Sequence, residues 1–133
     1  MFGHIPDFYP TPQTLADKMA AMVDYNKCAR ILEPSAGKGD LVDAVRRRIR
    51  SGRMEIHCVE KNPELQATLL GKKYTVVDTD FLAFQPSSQY RTIIMNPPFS
   101  EGVKHVLKAW DMLYDGDVIA LINAETLKNP FSF

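Results

Sequence analysis

The chain has 133 residues and a mass of 15.0 kDa, the size of one small domain with a single hydrophobic core. Hydrophobic residues make up 45% of the chain and charged residues 24%, which excludes a disordered or fibrous protein. Lysine plus arginine and aspartate plus glutamate both number 16. This balance argues mildly against a domain that holds nucleic acid by itself through a basic surface.

Signals for export, membrane insertion and metal binding are not found in the sequence. Apolar runs such as Val118–Ile122 are too short to span a bilayer, and no basic, apolar leader opens the chain. Cys28 and Cys58 are the two cysteines, without a C-x-x-C pair, so neither a disulfide scaffold nor a zinc site is indicated. We therefore expect a cytoplasmic protein with no metal and no membrane partner.

The first half of the chain alternates helix-length segments with short apolar runs. The predicted elements here are a helix over Pro12–Asp24, a strand over Ala29–Leu32, a helix over Asp40–Arg50 and a strand over Met54–Glu60. Thr11 is the candidate cap of the first helix, and Met19 and Met22 lie on its apolar face. Ile49 is expected to be buried with the apolar face of the second helix.

The second half continues the alternation. Its predicted elements are a helix over Pro63–Leu70, strands over Tyr74–Val77 and Tyr90–Met95, a helix from Val103 to Leu113 and a strand over Asp117–Ile122. Leu107 and Trp110 belong to the apolar positions of the last helix. Strands separated by helices indicate right-handed βαβ units. We therefore predict an α/β, doubly wound parallel sheet with helices on both faces.

A glycine-bearing turn follows the first predicted strand. Its sequence is Glu33-Pro34-Ser35-Ala36-Gly37-Lys38-Gly39-Asp40. It is not a P-loop, because no Gly-Lys-Ser/Thr follows four spacer residues, and Val42 stands where the dinucleotide fingerprint needs a third glycine. Gly37 and Gly39 would let the backbone approach a ligand closely. Structural glycines in a strand-to-helix turn explain the pattern equally well.

Carboxylates follow the second and third predicted strands. Glu60 lies about as far beyond the glycine turn as the ribose-binding acid of Rossmann-type sites, or it is a solvated acid at a strand end. Asp80 and Phe81 could meet a purine, or they could be a turn acid beside a core phenylalanine. Open α/β sheets bind ligands at the carboxyl ends of their strands, which favours one ligand site formed by these loops.

The tetrapeptide Asn96-Pro97-Pro98-Phe99 follows the fourth predicted strand. Two consecutive prolines make the loop stiff and leave its carbonyl groups to accept hydrogen bonds. The Asn96 amide oxygen and a proline carbonyl could together accept both hydrogens of an exocyclic amino group, and the Phe99 ring could stack on the ring that carries it. These residue types suit the methylation of an amine on a planar ring. A proline-stiffened turn with a core phenylalanine is the alternative.

Taken in chain order, these segments resemble a known family. They are Phe8-Tyr9-Pro10-Thr11-Pro12, Glu33–Asp40, Glu60, Asp80-Phe81-Leu82 and Asn96–Phe99. Together they resemble the S-adenosylmethionine-dependent amino-methyltransferases, most closely the DNA N6-adenine enzymes, over most of the chain from Phe8 to Asn123. The resemblance implies a Rossmann-like class I methyltransferase sheet, S-adenosylmethionine as cofactor and DNA, with a flipped-out adenine, as the partner.

Other substrates remain open at this point. The tetrapeptide is also similar to motifs of enzymes that methylate amino groups of RNA bases, whereas the protein-glutamine methyltransferases more often carry tyrosine in place of Phe99. A further alternative is a subunit that binds the cofactor but is inactive without a partner.

The resemblance also implies roles for single residues. The cofactor-binding residues would be Tyr9, Pro10, Thr11, Glu33, Pro34, Ser35, Ala36, Gly37, Gly39, Glu60, Lys61, Asp80, Phe81 and Asn96. The catalytic residues would be Asn96, Pro97, Pro98 and Phe99. In this assignment Glu60 binds the ribose, and Asp80 with Phe81 contacts the adenine of the cofactor. Asn96 and Pro97 hold the target amino group while Phe99 stacks on the base, and no metal takes part.

The chain departs from this family at its C-terminal end. Members of the superfamily normally have seven strands, whereas we expect this sequence to form five strands and no target-recognition domain. We therefore expect residues 1–133 to form a partial methyltransferase domain, truncated after the fifth strand. The Asp117–Ile122 strand would be an apolar edge. We expect a homodimer or other self-association through that edge, or its coverage by the Leu127–Phe133 tail.

Overall fold

The computed structural model describes residues 10–27, 30–50 and 52–122. Its four helices are α1 (Gln13–Ala20), α2 (Asp40–Arg48), α3 (Pro63–Gly71) and α4 (Gly102–Met112). Its five strands are β1 (Arg30–Glu33), β2 (Glu55–Val59), β3 (Thr75–Asp78), β4 (Thr92–Met95) and β5 (Asp117–Ala120). Single 3-10 turns at Phe81–Ala83 and Phe99–Glu101 follow β3 and β4.

The strands form one sheet in the order β3-β2-β1-β4-β5, and every pair is parallel. In register, Ile31 of β1 aligns with Ile56 of β2 and with Thr92 of β4. The chain order reverses between β1 and β4, which makes this the topological switch point where open α/β sheets bind their ligands. All carboxyl ends therefore lie at one edge, as predicted.

Both faces of the sheet are covered by helices. The buried side chains on one face include Ala16, Met19, Ile31, Leu41, Val45 and Ile94. Those on the other face include Leu32, Val59, Phe81, Ile93, Met95 and Ala109. Ile31 and Leu32 are neighbours that point to opposite faces because side chains alternate along a strand. The α/β doubly wound prediction is confirmed.

Several local predictions were wrong. Helix α1 begins after Pro12, and no side chain caps its N-terminus, so Thr11 is not its cap. The helix ends at Ala20, four residues before the predicted end at Asp24, and Met22 is 65% exposed. Ile49 is the extended residue that ends α2, and it is only half-buried. Val23 is nevertheless buried beyond the end of α1, and Ile49 packs against the same core beyond the end of α2. Apolar residues therefore continue to contact the core after these helices have ended.

Helix α4 buries only part of the face that its apolar residues predict, since Val106 and Leu113 pack against the core. Trp110 is 67% exposed and Leu107 is 50% exposed, whereas His105 and Ala109 are buried. The helix has more apolar residues than one face can hold, and the small Ala109 allows close approach to the sheet. Amphipathic periodicity therefore predicted the right element but only part of its buried face.

Neither a membrane-spanning helix nor a metal-binding cluster is found in the described ranges. Among these residues no helix is long and apolar enough to cross a bilayer. The same residues contain no group of three or more histidine, cysteine, aspartate or glutamate side chains able to hold a metal ion.

Candidate functional site

A cavity of about 480 Å³ opens at the carboxyl edge of the sheet, within the range typical of small-molecule sites. Of the residues predicted to bind a cofactor or to act in catalysis, twelve line it: Thr11, Glu33, Pro34, Ser35, Ala36, Gly37, Glu60, Lys61, Asp80, Phe81, Asn96 and Pro98. They come from the loops after β1, β2, β3 and β4 and from the segment before α1. The fold thus brings together residues that are far apart in sequence.

Glu33 ends β1 and lies at the floor of the cavity, with only 1% of its surface exposed. Its Oε2 accepts a hydrogen bond from the Ser35 backbone N–H at 2.5 Å, and its carboxylate also accepts one from the Asn96 backbone N–H. Burial raises the pKa of Glu33 well above its ordinary value, the nearby Glu60 raises it further, and the two backbone hydrogen bonds oppose the shift. Glu33 therefore joins the loops that follow β1 and β4.

Glu60 follows β2 and is buried, with 7% of its surface exposed. Its Oε1 accepts a hydrogen bond from the Gly37 backbone N–H and its Oε2 accepts one from the Asn62 backbone N–H, both at 2.7 Å. Burial raises the pKa of Glu60, while hydrogen bonds from the backbone of Asn62, Gly37 and Lys61 lower it. A solvated acid at a strand end is thus excluded. Glu60 fixes the glycine turn and still faces the cavity.

Asn96 follows β4 and is held on its nitrogen side. Its Nδ2 donates a hydrogen bond to Thr11 Oγ1 at 3.0 Å. The Thr11 backbone N–H in turn donates to Asp40 Oδ2 at 3.0 Å, and the Ser35 hydroxyl donates to the Asn96 carbonyl oxygen at 3.4 Å. Since the nitrogen of the Asn96 amide is turned toward Thr11, its Oδ1 lies on the opposite side of the amide group.

Asp80 and Phe81, which follow β3, fit both interpretations of their sequence, a ligand-contacting pair and a turn acid beside a core phenylalanine. Asp80 Oδ1 accepts a hydrogen bond from the Leu82 backbone N–H at 3.1 Å and so caps the short 3-10 turn. Phe81 is buried, with Lys108 Nζ 5.4 Å from its ring centroid. Both are also part of the cavity wall. A turn acid beside a core phenylalanine therefore faces the place where a ligand would bind.

Five predicted site residues are not part of the cavity wall. Pro10, Gly39, Pro97 and Phe99 are absent from its lining, and Tyr9 lies outside the described residues. Gly39 instead has a positive φ of 99° at the N-terminus of α2, so it serves the turn. Pro97 is buried, and Phe99 is 59% exposed. The proposed stacking by Phe99 would therefore take place outside the described cavity.

The most informative residue that the sequence did not single out is His105 of α4. It lines the cavity, is 7% exposed, and its ring centroid lies 5.4 Å from that of Phe81. Its Nδ1–H donates to the Glu101 carbonyl oxygen at 3.0 Å, and burial lowers its pKa. Asp40 and Leu82, which belong to the segments that carry the resemblance, line the cavity without a predicted role, and the other lining residues missed are Leu41, Asn62, Pro63, Leu65, Thr79 and Glu101. Their positions after strand ends were the available signal.

Comparison with known proteins is informative at the level of structure. No protein-family model matches the sequence, and no curated protein matches it either. The 23S rRNA methyltransferase ErmE superposes with a TM-score of 0.72 and 17% identity, over 94% of this chain and 52% of ErmE. A candidate RNA methyltransferase from Pyrococcus horikoshii superposes with a TM-score of 0.70 and 25% identity, over 93% of this chain and 67% of that one.

A third similar structure carries a ligand. The SAH-bound methyltransferase PaMTH1 from Podospora anserina has a TM-score of 0.67 and 15% identity, over 84% of this chain and 53% of that one. The fold is the Rossmann-like methyltransferase fold. In the ranges that the structure describes, this methyltransferase fold has five strands and no sixth or seventh, as predicted. The chain spans about half the length of ErmE and PaMTH1.

Proposed function

We propose that the cavity binds S-adenosylmethionine. The binding of SAH, the demethylated form of this cofactor, by a protein of the same fold supports this choice. The residues present also fit the cofactor, because the cavity lies at the switch point and carries a buried acid after β2. The Glu60 carboxylate accepts backbone hydrogen bonds from Gly37, Asn62 and Lys61, which leaves capacity to accept a ribose hydroxyl.

We further propose methyl transfer to an exocyclic amino group of a nucleic-acid base, with adenine N6 in DNA as the substrate. The observation that carries this proposal is Asn96, which lines the cavity with its amide nitrogen hydrogen-bonded to Thr11. This orientation assigns the Oδ1 oxygen to the acceptor role toward the target amine. The Phe8–Pro12 and Asn96–Phe99 segments support adenine by their resemblance to the N6-adenine enzymes.

The chemistry needs positioning more than acid–base catalysis. The adenine amine is a poor nucleophile because its lone pair is delocalised into the ring. Accepting its hydrogens at Asn96 Oδ1 and at a proline carbonyl favours a pyramidal nitrogen whose lone pair points along the line of attack. S-adenosylmethionine supplies the electrophilic methyl group of a sulfonium. In a duplex the base is first flipped out, which costs a few kcal/mol.

An RNA base is the second candidate substrate. The observation in its favour is the similarity to ErmE, a 23S rRNA methyltransferase, over 94% of this chain. The neighbouring candidate RNA methyltransferase from Pyrococcus horikoshii supports the same choice. Both substrates present an exocyclic amino group on a planar ring, so the same Asn96 arrangement serves either.

One assay separates these possibilities. The chain is incubated with tritium-labelled S-adenosylmethionine and, separately, with DNA, RNA and protein pools, with Asn96→Ala as the matched variant. We expect label in DNA as N6-methyladenine, no label with Asn96→Ala, and cofactor affinity within a few-fold for both proteins. Label in RNA alone would favour the second candidate. Label in protein alone would overturn both, and cofactor binding with no transfer to any pool would indicate an inactive subunit.

A further inference from the structure

A second concave site lies at the amino ends of the strands, on the opposite side of the sheet from the cavity at their carboxyl ends. This groove, of about 580 Å³, is formed by the end of α2 and the amino ends of β2 and β3. Three cationic side chains line it, Arg46, Arg50 and Lys73, against one carboxylate, that of Glu55. We call it the basic groove. Its charge contrasts with the zero net charge of the whole chain.

The single carboxylate of the basic groove is already engaged. Glu55 Oε2 accepts a hydrogen bond from Arg30 Nε at 3.3 Å and lies 3.1 Å from His57 Nε2. Within residues 10–27, 30–50 and 52–122, neither Arg50 nor Lys73 has an ion pair or a side-chain hydrogen bond. Two cations therefore face the groove without a counter-charge from the described part of the chain.

Lys73 occupies a backbone position that favours glycine. Its φ is 65°, and its N–H donates to the Leu70 carbonyl oxygen at 2.9 Å just after the end of α3. Helices commonly end with a glycine in this left-handed conformation, because a side chain there is strained. A lysine at this position is conformationally strained, and it places a positive charge at the rim of the groove. Strained residues of this kind are concentrated at functional sites.

The arginines extend the charge beyond a single anion. Arg46 and Arg50, which line the groove, are exposed at the end of α2 and beyond it. The Arg46 guanidinium lies 5.6 Å from the centroid of the Tyr74 ring. A guanidinium group can donate two parallel hydrogen bonds to the oxygens of one phosphate, and it can also stack on a planar ring. Two guanidinium groups and the Lys73 ammonium in one groove suit a chain of phosphates better than one isolated phosphate.

We propose that the basic groove binds the phosphodiester backbone of a single nucleic-acid strand, at a site separate from the cavity. The inference rests on the proposed function only for the choice of nucleic acid over other polyanions. It goes beyond that function because the groove contains none of the residues that line the cavity. Binding here would be independent of base sequence, since phosphate contacts carry no sequence information directly.

The test measures binding without cofactor, so it is independent of turnover. Fluorescence anisotropy follows a labelled single strand of about 20 nucleotides, as DNA and as RNA, at about 50 mM salt. The test variant is Arg50→Ala with Lys73→Gly. The matched control is Lys18→Ala with Lys27→Ala, which removes the same charge from exposed positions outside the groove. A glycine at position 73 suits the local backbone, so the melting temperature of the chain with Lys73→Gly should stay the same or rise.

We expect the groove variant to weaken binding about tenfold or more and to reduce the salt slope by about 1.4, because two cations no longer neutralise phosphates. The control should bind within about twofold of the unchanged chain. Equal weakening in both variants, or no binding of either strand by the unchanged chain, would overturn the proposal. Displacement of the strand by inorganic phosphate at an equal phosphate concentration would also overturn it. Preferential binding to anionic lipid vesicles would do the same, because either result would assign the groove to another source of phosphate.

Discussion

Asn96 and Thr11 are joined by a hydrogen bond of 3.0 Å across 85 positions of sequence. The bond links the loop after β4 to the segment that precedes α1, and Thr11 is itself tied to Asp40 at the start of α2. Three separate parts of the chain therefore meet at the wall of the cavity. The orientation of the Asn96 amide depends on this tertiary contact and not on its own loop alone.

The first prediction concerns that orientation. Thr11→Val keeps the shape of the side chain but removes the oxygen that accepts from Asn96 Nδ2. We expect methyl transfer at saturating cofactor to fall about tenfold, which corresponds to one hydrogen bond of about 1.4 kcal/mol. Thr11→Ser retains the hydroxyl and should restore most of the rate. Single-turnover transfer rates measure the effect, and an unchanged rate for Thr11→Val would show that the bond does not position Asn96.

The second prediction concerns cofactor affinity. Glu60→Gln removes the charge that accepts backbone and, in our proposal, ribose hydrogen bonds, so the affinity for S-adenosylhomocysteine should weaken by about 1.5–3 kcal/mol. Glu64→Gln is the matched control, since Glu64 is an exposed acid on α3 outside the cavity lining. Calorimetry gives both affinities. If Glu60→Gln binds as tightly as the control, Glu60 does not contact the cofactor.

The third prediction concerns pH. The pKa of Glu33 is raised in the folded chain above its ordinary value of 4.5, so the folded state binds a proton more tightly than the unfolded state. The resulting stabilisation is complete below 4.5 and is lost as the pH rises through the raised folded pKa. Glu60 acts in the same direction. In the Glu33→Gln chain, the unfolding free energy should therefore fall less as the pH rises through the raised pKa of Glu33.

Urea denaturation over a pH series measures this difference. Because Glu60 is unchanged in the Glu33→Gln chain, part of the pH dependence should persist. Parallel pH profiles for the two proteins would contradict the raised pKa of Glu33.

The fourth prediction concerns the turn before α2. A Cβ at Gly39 would lie 3.2 Å from Leu69 Cδ2 and from Tyr74 Cε2, and φ there is +99°. Gly39→Ala should destabilise the fold by about 1–3 kcal/mol. Gly71→Ala, at the end of α3 with nothing within 4 Å, should be neutral or stabilise by up to about 1 kcal/mol. Thermal unfolding compares the pair, and equal melting temperatures would refute the assigned conformation of Gly39.

The fifth prediction concerns the edge formed by β5. The N–H groups of Asp117 and Leu121 donate to β4-side carbonyls of Arg91 and Met95, so alternation directs the Ala120 N–H away from β4. We expect concentration-dependent self-association through this edge, unless it is covered by the Leu127–Phe133 tail, which lies outside the described residues. Ala120→Pro removes the outward donor and should reduce it, whereas Ala120→Val keeps the donor and should not. Light scattering tests this, and a chain that stays monomeric at every concentration would show that the edge does not pair.

The class of fold and most of the cavity could be predicted from local patterns. Glu60 and Asn96 were singled out because residue types at the ends of parallel strands fall together at one edge of a sheet. The extent of α1 was predicted wrongly, because an apolar residue such as Val23 can pack on the core after the helix has ended. The buried face of α4 was predicted only in part, because periodicity does not show how a helix rotates against the sheet. His105 was missed for the same reason, since its burial depends on how α4 rotates against Phe81.

The amino-acid sequence by itself determined the alternation of strands and helices, and with it the parallel sheet and the position of the ligand edge, because these follow from local periodicity and chain connectivity. Only the tertiary structure decided which side chains meet there. It turned the Asn96 amide toward Thr11 and joined Glu60 to the glycine turn. It also gathered Arg50 and Lys73 around one groove. Such contacts join residues distant in sequence, so they depend on the packing of whole elements and on no local signal.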